Sequence, residues 1–237
     1  MKAKPFQRRA LLLLASLIST APASTRATED WPEFRGPTGQ GISTARNVPL
    51  HWNATSNVVW KTEIPGEGWS SPVLVAGKLY LTTAVTDSDS TSLRTLCLEA
   101  SDGRAQWNVE VLQPGAGGPQ AMHKKNSLAS PTPIVRADRI YVHFGHMGTA
   151  ALDLTGKVVW RQTALKYSPV HGNGGSPVLV GDTLVFSCDG LADPFVVALD
   201  ARTGQVLWKT PRNSPAKNQF SFATPLAIET DGATQII

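Results

Sequence analysis

The chain has 237 residues, of which 41% are hydrophobic and only 17% charged, enough apolar content for a substantial core and too little charge for a disordered chain or coiled coil. Its 20 glycines and 17 prolines suit an all-β chain with many turns. The formal net charge of +4 sits in the first 23 residues, which hold four bases and no acid; the remainder carries 18 of each, so nothing argues for a nucleic-acid or anionic-membrane surface.

In chain order, the first segment is an address. Lys2, Lys4, Arg8 and Arg9 precede an apolar run over 10–18, and Ala21-Pro22-Ala23 supplies a small-x-small cleavage pattern. The expectation is a signal peptide over 1–23, a mature N-terminus at Ser24, and export to the periplasm or the extracellular space. The run is far short of the ~20 residues a spanning helix needs, so no membrane span is expected after cleavage. No Cys follows it, which argues against a bacterial lipid anchor, and Arg8-Arg9 leaves Sec and Tat export both open. Residues 24–56 read as an extended N-terminal arm anchored by Trp31 and Phe34. Its Gly36-Pro37-Thr38-Gly39-Gln40-Gly41 is not a phosphate loop, because it lacks the Lys-Ser/Thr ending, a preceding apolar strand and a following helix.

From residue 57 onward the chain repeats itself. Residues 195–210, FVVALDARTGQVLWKT, read as a strand, a Gly turn and a Trp strand, and related hairpins occur at 93–111 and 148–163. Each has an acid (Glu99, Asp153, Asp200), a Gly (Gly103, Gly156, Gly204) and a Trp four residues beyond that Gly (Trp107, Trp160, Trp208), at spacings of 53 and 48. Trp60 lies 47 before Trp107, in a lone predicted strand over 58–63 with no matching strand before it. Between the Trp hairpins sit others that open on Ser71-Pro72, Thr132-Pro133, Ser176-Pro177 and Thr224-Pro225. Units of about fifty residues with four strands and one Trp predict a β-propeller of four-stranded antiparallel blades. The blades fall at 72–110, 133–162 and 177–210, with a partial one at 225–237. Since propellers close with roughly four to eight blades, about three and a half suggest an incomplete ring and a piece of a longer protein. A short protein that dimerises into a ring is the alternative.

Ala198, Asp200, Thr203, Gly204 and Trp208 together resemble the tryptophan-docking motif of pyrroloquinoline-quinone (PQQ)-type propeller repeats, A-x-D-x-x-T-G-x-x-x-W. The stretch from Ala151 to Trp160, with Asp153 and Gly156, resembles it with one turn residue deleted. That from Cys97 to Trp107, with Gly103, departs further, with Cys for Ala, Glu for Asp and Asp for Thr. The resemblance implies that each Trp packs between neighbouring blades, against the Gly turn and small residue of the next motif.

The same repeats serve quinoprotein alcohol and glucose dehydrogenases, which hold PQQ and Ca²⁺, and the outer-membrane β-barrel assembly lipoprotein, which is a protein-binding scaffold. They also occur in other exported proteins, whose opening the stretch from Trp31 to Gly41 resembles. Dehydrogenase chemistry needs a carboxylate base and oxygen ligands for Ca²⁺, often with a vicinal Cys pair. Here Cys97 and Cys188 lie in different blades, where two buried unpaired thiols are expected rather than a disulfide, and no acids show a Ca²⁺ spacing.

Four of the five histidines fall in predicted loops: His123 with Lys124, Lys125 and Asn126; His143 and His146; and His171 with Asn173. His123, Lys124, Asn126, His171 and Asn173 precede the strand pairs that begin at Pro133 and Pro177, which makes them candidates for one mouth of the central channel. His143 and His146 follow a second strand and belong to another rim. No His pair has a metal-like spacing, so no metal site and no catalytic residue is assigned. The reading that follows is a non-enzymatic scaffold in the cell envelope, binding another envelope protein or a small ligand and needing no cofactor. The alternative is a PQQ-dependent oxidoreductase with Ca²⁺, whose decisive residues lie outside this stretch.

Overall fold

The structure, a computed structural model, describes residues 29–114, 122–213, 215 and 220–237. The expected signal peptide over 1–23 and its cleavage pattern lie outside the described residues. Fourteen strands form three four-stranded antiparallel sheets and one two-stranded sheet, each joined in simple sequence order. The first blade is β1 (Val73–Val75), β2 (Lys78–Thr86), β3 (Thr91–Glu99) and β4 (Ala105–Leu112). The second is β5 (Ile134–Arg136), β6 (Arg139–His143), β7 (Thr149–Asp153) and β8 (Val158–Gln162), with a single 3-10 turn at Gly145–Met147. The third is β9 (Val178–Val180), β10 (Thr183–Cys188), β11 (Phe195–Asp200) and β12 (Val206–Pro211), and β13 (Ala227–Thr230) pairs with β14 (Ala233–Ile236) alone. This is an all-β arc of propeller blades, unclosed among the described residues. No helix among them is long and apolar enough to cross a membrane.

The blades owe their shape to a repeated mismatch in register. In each full blade a small residue on the third strand faces the Trp of the fourth: Cys97 opposite Trp107, Ala151 opposite Trp160, Ala198 opposite Trp208. Immediately after that pair the register shifts by a bulge, which bends and twists the strand. Cys97 stands where the other two blades have Ala, and like Ala it is small enough to face an indole.

Successive blades are fastened at two radii. On the outside, each indole lies on the Gly turn of the following blade. Trp60 Nε1 donates to the Ala100 carbonyl (2.9 Å), Trp107 Nε1 to Leu154 (3.2 Å) and Trp160 Nε1 to Ala201 (2.9 Å). A Cβ on Gly103, Gly156 or Gly204 would stand 2.4–3.0 Å from those rings, and all three glycines have positive φ, so only Gly satisfies both demands. Asp153 Oδ1 and Asp200 Oδ1 brace their turns by accepting from Thr155 and Thr203. Those bonds hold both carboxyls below the usual range. Trp208 has no such turn against it among the described residues and is 40% exposed, whereas Trp160 is 9% exposed.

On the inside, the residues before the four prolines form a relay between blades. Ser71 N–H donates to Thr132 Oγ1 (3.1 Å), Thr132 N–H to Ser176 Oγ (2.9 Å) and Ser176 N–H to Thr224 Oγ1 (3.0 Å). Thr132 and Ser176 are buried, so these amides depend on the relay for partners.

The predicted strand over 58–63 is corrected. The segment belongs to no strand, because no other described segment pairs with its backbone; Trp60 and Thr62 hold it through side chains, Thr62 Oγ1 donating to the Gly103 carbonyl. The N-terminal arm also does more than lie on the surface. Trp31 exchanges both backbone hydrogen bonds with Leu74 in β1, and the Pro32 carbonyl accepts from Val135 N–H in β5. The arm thus covers the free edges of two first strands, edges that would otherwise present unpaired donors and acceptors. Glu33 pairs with Arg136 (3.7 Å), and burial raises its carboxyl while Arg136 pulls it back down.

Candidate functional site

The arm and the segments before the first strands meet at one mouth of the arc, around a cavity of about 460 Å³. Phe34 comes from the arm, Trp69 and Ser71 from the approach to β1, and His123, Lys125, Asn126, Ser130 and Thr132 from the approach to β5. His171, Gly174 and Ser176 come from the approach to β9, and Phe222 from the approach to β13. The Ser/Thr relay is therefore part of the cavity wall, which gives the loops a rigid base.

Asn126 organises the mouth. Its Nδ2 donates to the His171 carbonyl (2.9 Å), and its Oδ1 accepts from Ser127 N–H (2.9 Å) and from the Ser130 hydroxyl. His123 and His171 stand edge to face with ring centroids 5.2 Å apart, and His171 meets Phe220 at 5.6 Å. His123 Nδ1 accepts the Lys125 N–H (3.1 Å).

Of the five residues proposed from sequence, His123, Asn126 and His171 converge on this cavity. Lys124 is exposed and does not line it; its neighbour Lys125 does. Asn173 turns away: its side chain packs on Gly145, accepts from the Tyr167 hydroxyl (3.1 Å) and donates to the Gly175 carbonyl (3.3 Å). Trp69, Phe34 and Phe222 are additional wall residues. The signal for Trp69 and Phe222 was the position of each just before a Ser/Thr-Pro strand start, which marks the same rim in their blades, whereas Phe34 comes from the arm and carried no such signal.

His143 and His146 are not loop histidines. His143 is the last residue of β6, fully buried, with Nδ1 2.8 Å from Thr149 Oγ1 and its ring 4.3 Å from that of Phe186. Its Nε2 has no partner among the described residues, and burial, helped by His146, pushes its pKa down to about 3. His146 lies in the 3-10 turn, its pKa lowered by burial and by Lys166. Cys97 and Cys188 are buried and unpaired, and burial raises both thiols, which leaves them weak nucleophiles.

The described residues of the mouth lack the donors that a Ca²⁺-PQQ centre needs. Ca²⁺ asks for six to eight oxygen ligands, typically with carboxylates, and the cavity wall contains no Asp or Glu. Residues 115–121 and 216–219, which lie outside the described residues, contain no acid in their sequence. Among the described residues no three His, Cys, Asp or Glu side chains are grouped closely enough to hold a metal ion. The described residues of the mouth therefore do not fit that centre.

Comparison with known proteins agrees with the architecture. The chain is 25% identical over 241 residues to 1-butanol dehydrogenase (quinone) of Thauera butanivorans, a match covering 88% of this chain and 36% of the relative. It is 32% identical over 109 residues to the lanthanide-dependent methanol dehydrogenase of Methylorubrum extorquens, covering 41% of this chain and 17% of that one. The chain thus spans about a third or less of the curated relatives it matches. Among solved structures, the quinohemoprotein alcohol dehydrogenase ADHIIG of Pseudomonas putida HK5 superposes with TM-score 0.56 at 18% identity, covering 77% of this chain and 26% of that one. The quinohemoprotein alcohol dehydrogenase of Comamonas testosteroni gives 0.55 at 18% identity, over 80% of this chain and 28% of its own. Such identities speak for the fold. A family model described as outer membrane protein assembly factor BamB matches residues 53–227; with the repeated Trp, Gly and Ser/Thr-Pro positions, this makes the chain a member of that PQQ-like β-propeller family.

Proposed function

We propose that this chain is an exported, non-enzymatic binding module of the cell envelope, in the periplasm or outside the cell, whose working surface is the channel mouth. The reading is supported above all by one observation: a cavity of about 460 Å³ walled by aromatic rings, histidines, hydroxyls and Lys125, with no acid among its described lining residues. Such a wall can bind, and among the described residues it presents no carboxylate base for oxidation. The occupant is a small ligand or a segment of an envelope protein, and no nucleic acid is involved. Rigid blades carrying binding loops are a common arrangement, and the roles given to the Trp, Gly, Asp and Thr positions are those of fasteners.

A second reading, a PQQ- and Ca²⁺-dependent oxidoreductase, is favoured by the likeness to 1-butanol dehydrogenase (quinone) across 88% of this chain. Turnover separates the two. The purified mature protein is loaded with PQQ and Ca²⁺, offered primary alcohols and an artificial electron acceptor, and compared with cofactor alone. No rate above that background is expected; a saturable, protein-dependent rate would replace the binding reading with the oxidoreductase.

A further inference from the structure

We propose that a second cavity, separate from the mouth, binds one Cu(I) ion through the thioethers of Met122 and Met147 and through His146 Nδ1. The site goes beyond the binding reading above and does not rest on it. Its cavity is small, about 10 Å³, and shares no lining residue with the mouth, although the approaches to β5 and β9 wall both.

The donors come from two stretches far apart in sequence. Met122 lies on the approach to β5, and His146 and Met147 lie in the 3-10 turn that follows β6. Beyond Met1 the chain has two methionines, and both line this one cavity. Methionine ordinarily fills irregular gaps in a core. Here the two side chains leave a space of about 10 Å³, close to the least that admits a water-sized body, and they share it with a histidine. His146 Nδ1 is buried and has no hydrogen-bond partner among the described residues. Folded proteins seldom leave such an atom without a partner.

The wall selects a soft ion. It contains no Asp, Glu, Lys or Arg. Its other two polar side chains are already engaged. Ser127 Oγ shares a hydrogen bond with Ser130 Oγ (3.0 Å) and accepts the Ala129 N–H (3.2 Å), while Asn173 bonds Tyr167 and Gly175. One imidazole nitrogen and two thioethers remain. Thioethers favour Cu(I), whereas Ca²⁺ takes oxygen ligands and Zn²⁺ takes thiolates, imidazoles and carboxylates. A monovalent ion also suits a wall without countercharge, because taking an ion out of water is costly. Leu128, Phe144 and Pro169 complete an apolar shell that limits solvent.

Two glycines set the donor segments against the approach to β9. Gly172 has φ 90, and a Cβ there would stand 2.9 Å from Met122 Cγ and 3.1 Å from Met122 Sδ. Gly145, which opens the 3-10 turn at φ 63, would place a Cβ 2.5 Å from Asn173 Cβ. The backbone thus comes closer to both side chains than a residue with a Cβ allows. Met122 and the His146-Met147 turn are therefore positioned before any ion arrives, as a precise site requires. A bound ion would tie the approach to β5 to the 3-10 turn and stabilise the folded chain by mass action.

The mature protein expected from Ser24 onward carries Met122 and Met147 as its only methionines, so selenium labelling reports on this cavity alone. Selenomethionine-labelled mature protein is titrated anaerobically with Cu(I) held by a competing chromophoric chelator. One Cu(I) per chain is expected, with copper as a neighbour in the selenium X-ray absorption spectrum and a rise in Tm. Zn²⁺ and Ca²⁺ should leave that spectrum unchanged. Met122→Leu and Met147→Leu conserve volume and remove a donor. Each should weaken Cu(I) by at least the roughly tenfold to hundredfold that loss of an outer partner costs a metal site. His146→Phe, which keeps a ring and removes the nitrogen, should do the same, and circular dichroism checks that each variant is folded. The selenium spectrum reads the ligands in a chain with no substitution, so the proposal stays testable if a variant fails to fold. No Cu(I) binding, no copper beside selenium, a spectrum that Zn²⁺ changes equally, or undiminished affinity in folded Met→Leu variants would overturn it. The turnover assay judges the mouth separately.

Discussion

A tryptophan in this chain is worth what the next blade gives it. Trp160 is enclosed and donates to Ala201, while Trp208, its counterpart one repeat later, is 40% exposed and meets no Gly turn among the described residues. Trp160→Ala should therefore cost about 3–5 kcal/mol, the range for a buried aromatic truncation. Urea unfolding of the variant against the parent measures the loss. A loss under about 1 kcal/mol would mean that the junction between blades does not depend on the indole. His143 adds a pH dependence that sets in above the range where the Asp153 and Asp200 carboxyls protonate. Its folded pKa is depressed from the ordinary 6.5 to about 3, so its contribution is complete above the unfolded value and is lost as the pH falls from there toward the folded one. His146 shifts in the same direction. The urea midpoint should drop as pH is lowered through that window. His143→Asn keeps a donor or acceptor near Thr149 and cannot titrate, so it should flatten the slope even if it lowers stability at neutral pH. An unchanged slope would place the acid sensitivity elsewhere.

Among the elements, the Ser/Thr-Pro turns carry a cost out of proportion to their size. Ser176→Ala removes the acceptor of a buried Thr132 amide, and an orphaned buried donor costs about 1–3 kcal/mol. Ser176→Thr, which matches the residue used at Thr132 and Thr224, should restore most of it in the same unfolding measurement. Failure of the Thr variant to rescue would assign the effect to packing around Pro177. Much of this was legible in the sequence. The Gly-to-Trp spacing of four residues located each fourth strand, because a positive-φ turn and a large ring beside it leave few alternatives. The lone strand over 58–63 misled for a physical reason: its apolar residues suit a strand, but a strand exists only where another backbone pairs with it. The arm could be seen to anchor through Trp31, yet its pairing with β1 and β5 depends on three-dimensional placement that Gly- and Pro-rich sequence does not encode as periodicity. At the mouth, His123, Asn126 and His171 were marked by their place before strand starts. Asn173 was misplaced because the positive φ of His171 and Gly172 turns the chain before Asn173, a reversal invisible in residue types alone.

At the scale of the whole molecule, two sets of fasteners hold the arc, indoles outside and hydroxyls inside, and the inner set doubles as the wall of the mouth. A stable arc therefore implies a preorganised cavity, which favours binding without rearrangement. The same arrangement suits a propeller family that includes relatives named as quinone dehydrogenases and this chain, whose described mouth residues include no carboxylate: the fold supplies the frame, and loop side chains decide the chemistry. The most direct measurement is a calorimetric titration of the mature protein with PQQ in the presence and absence of Ca²⁺. The account predicts no Ca²⁺-dependent, one-site heat, since no acid lines the mouth among the described residues. Saturable binding at about micromolar affinity or tighter that requires Ca²⁺ would contradict it, and would place an oxidoreductase centre in this protein.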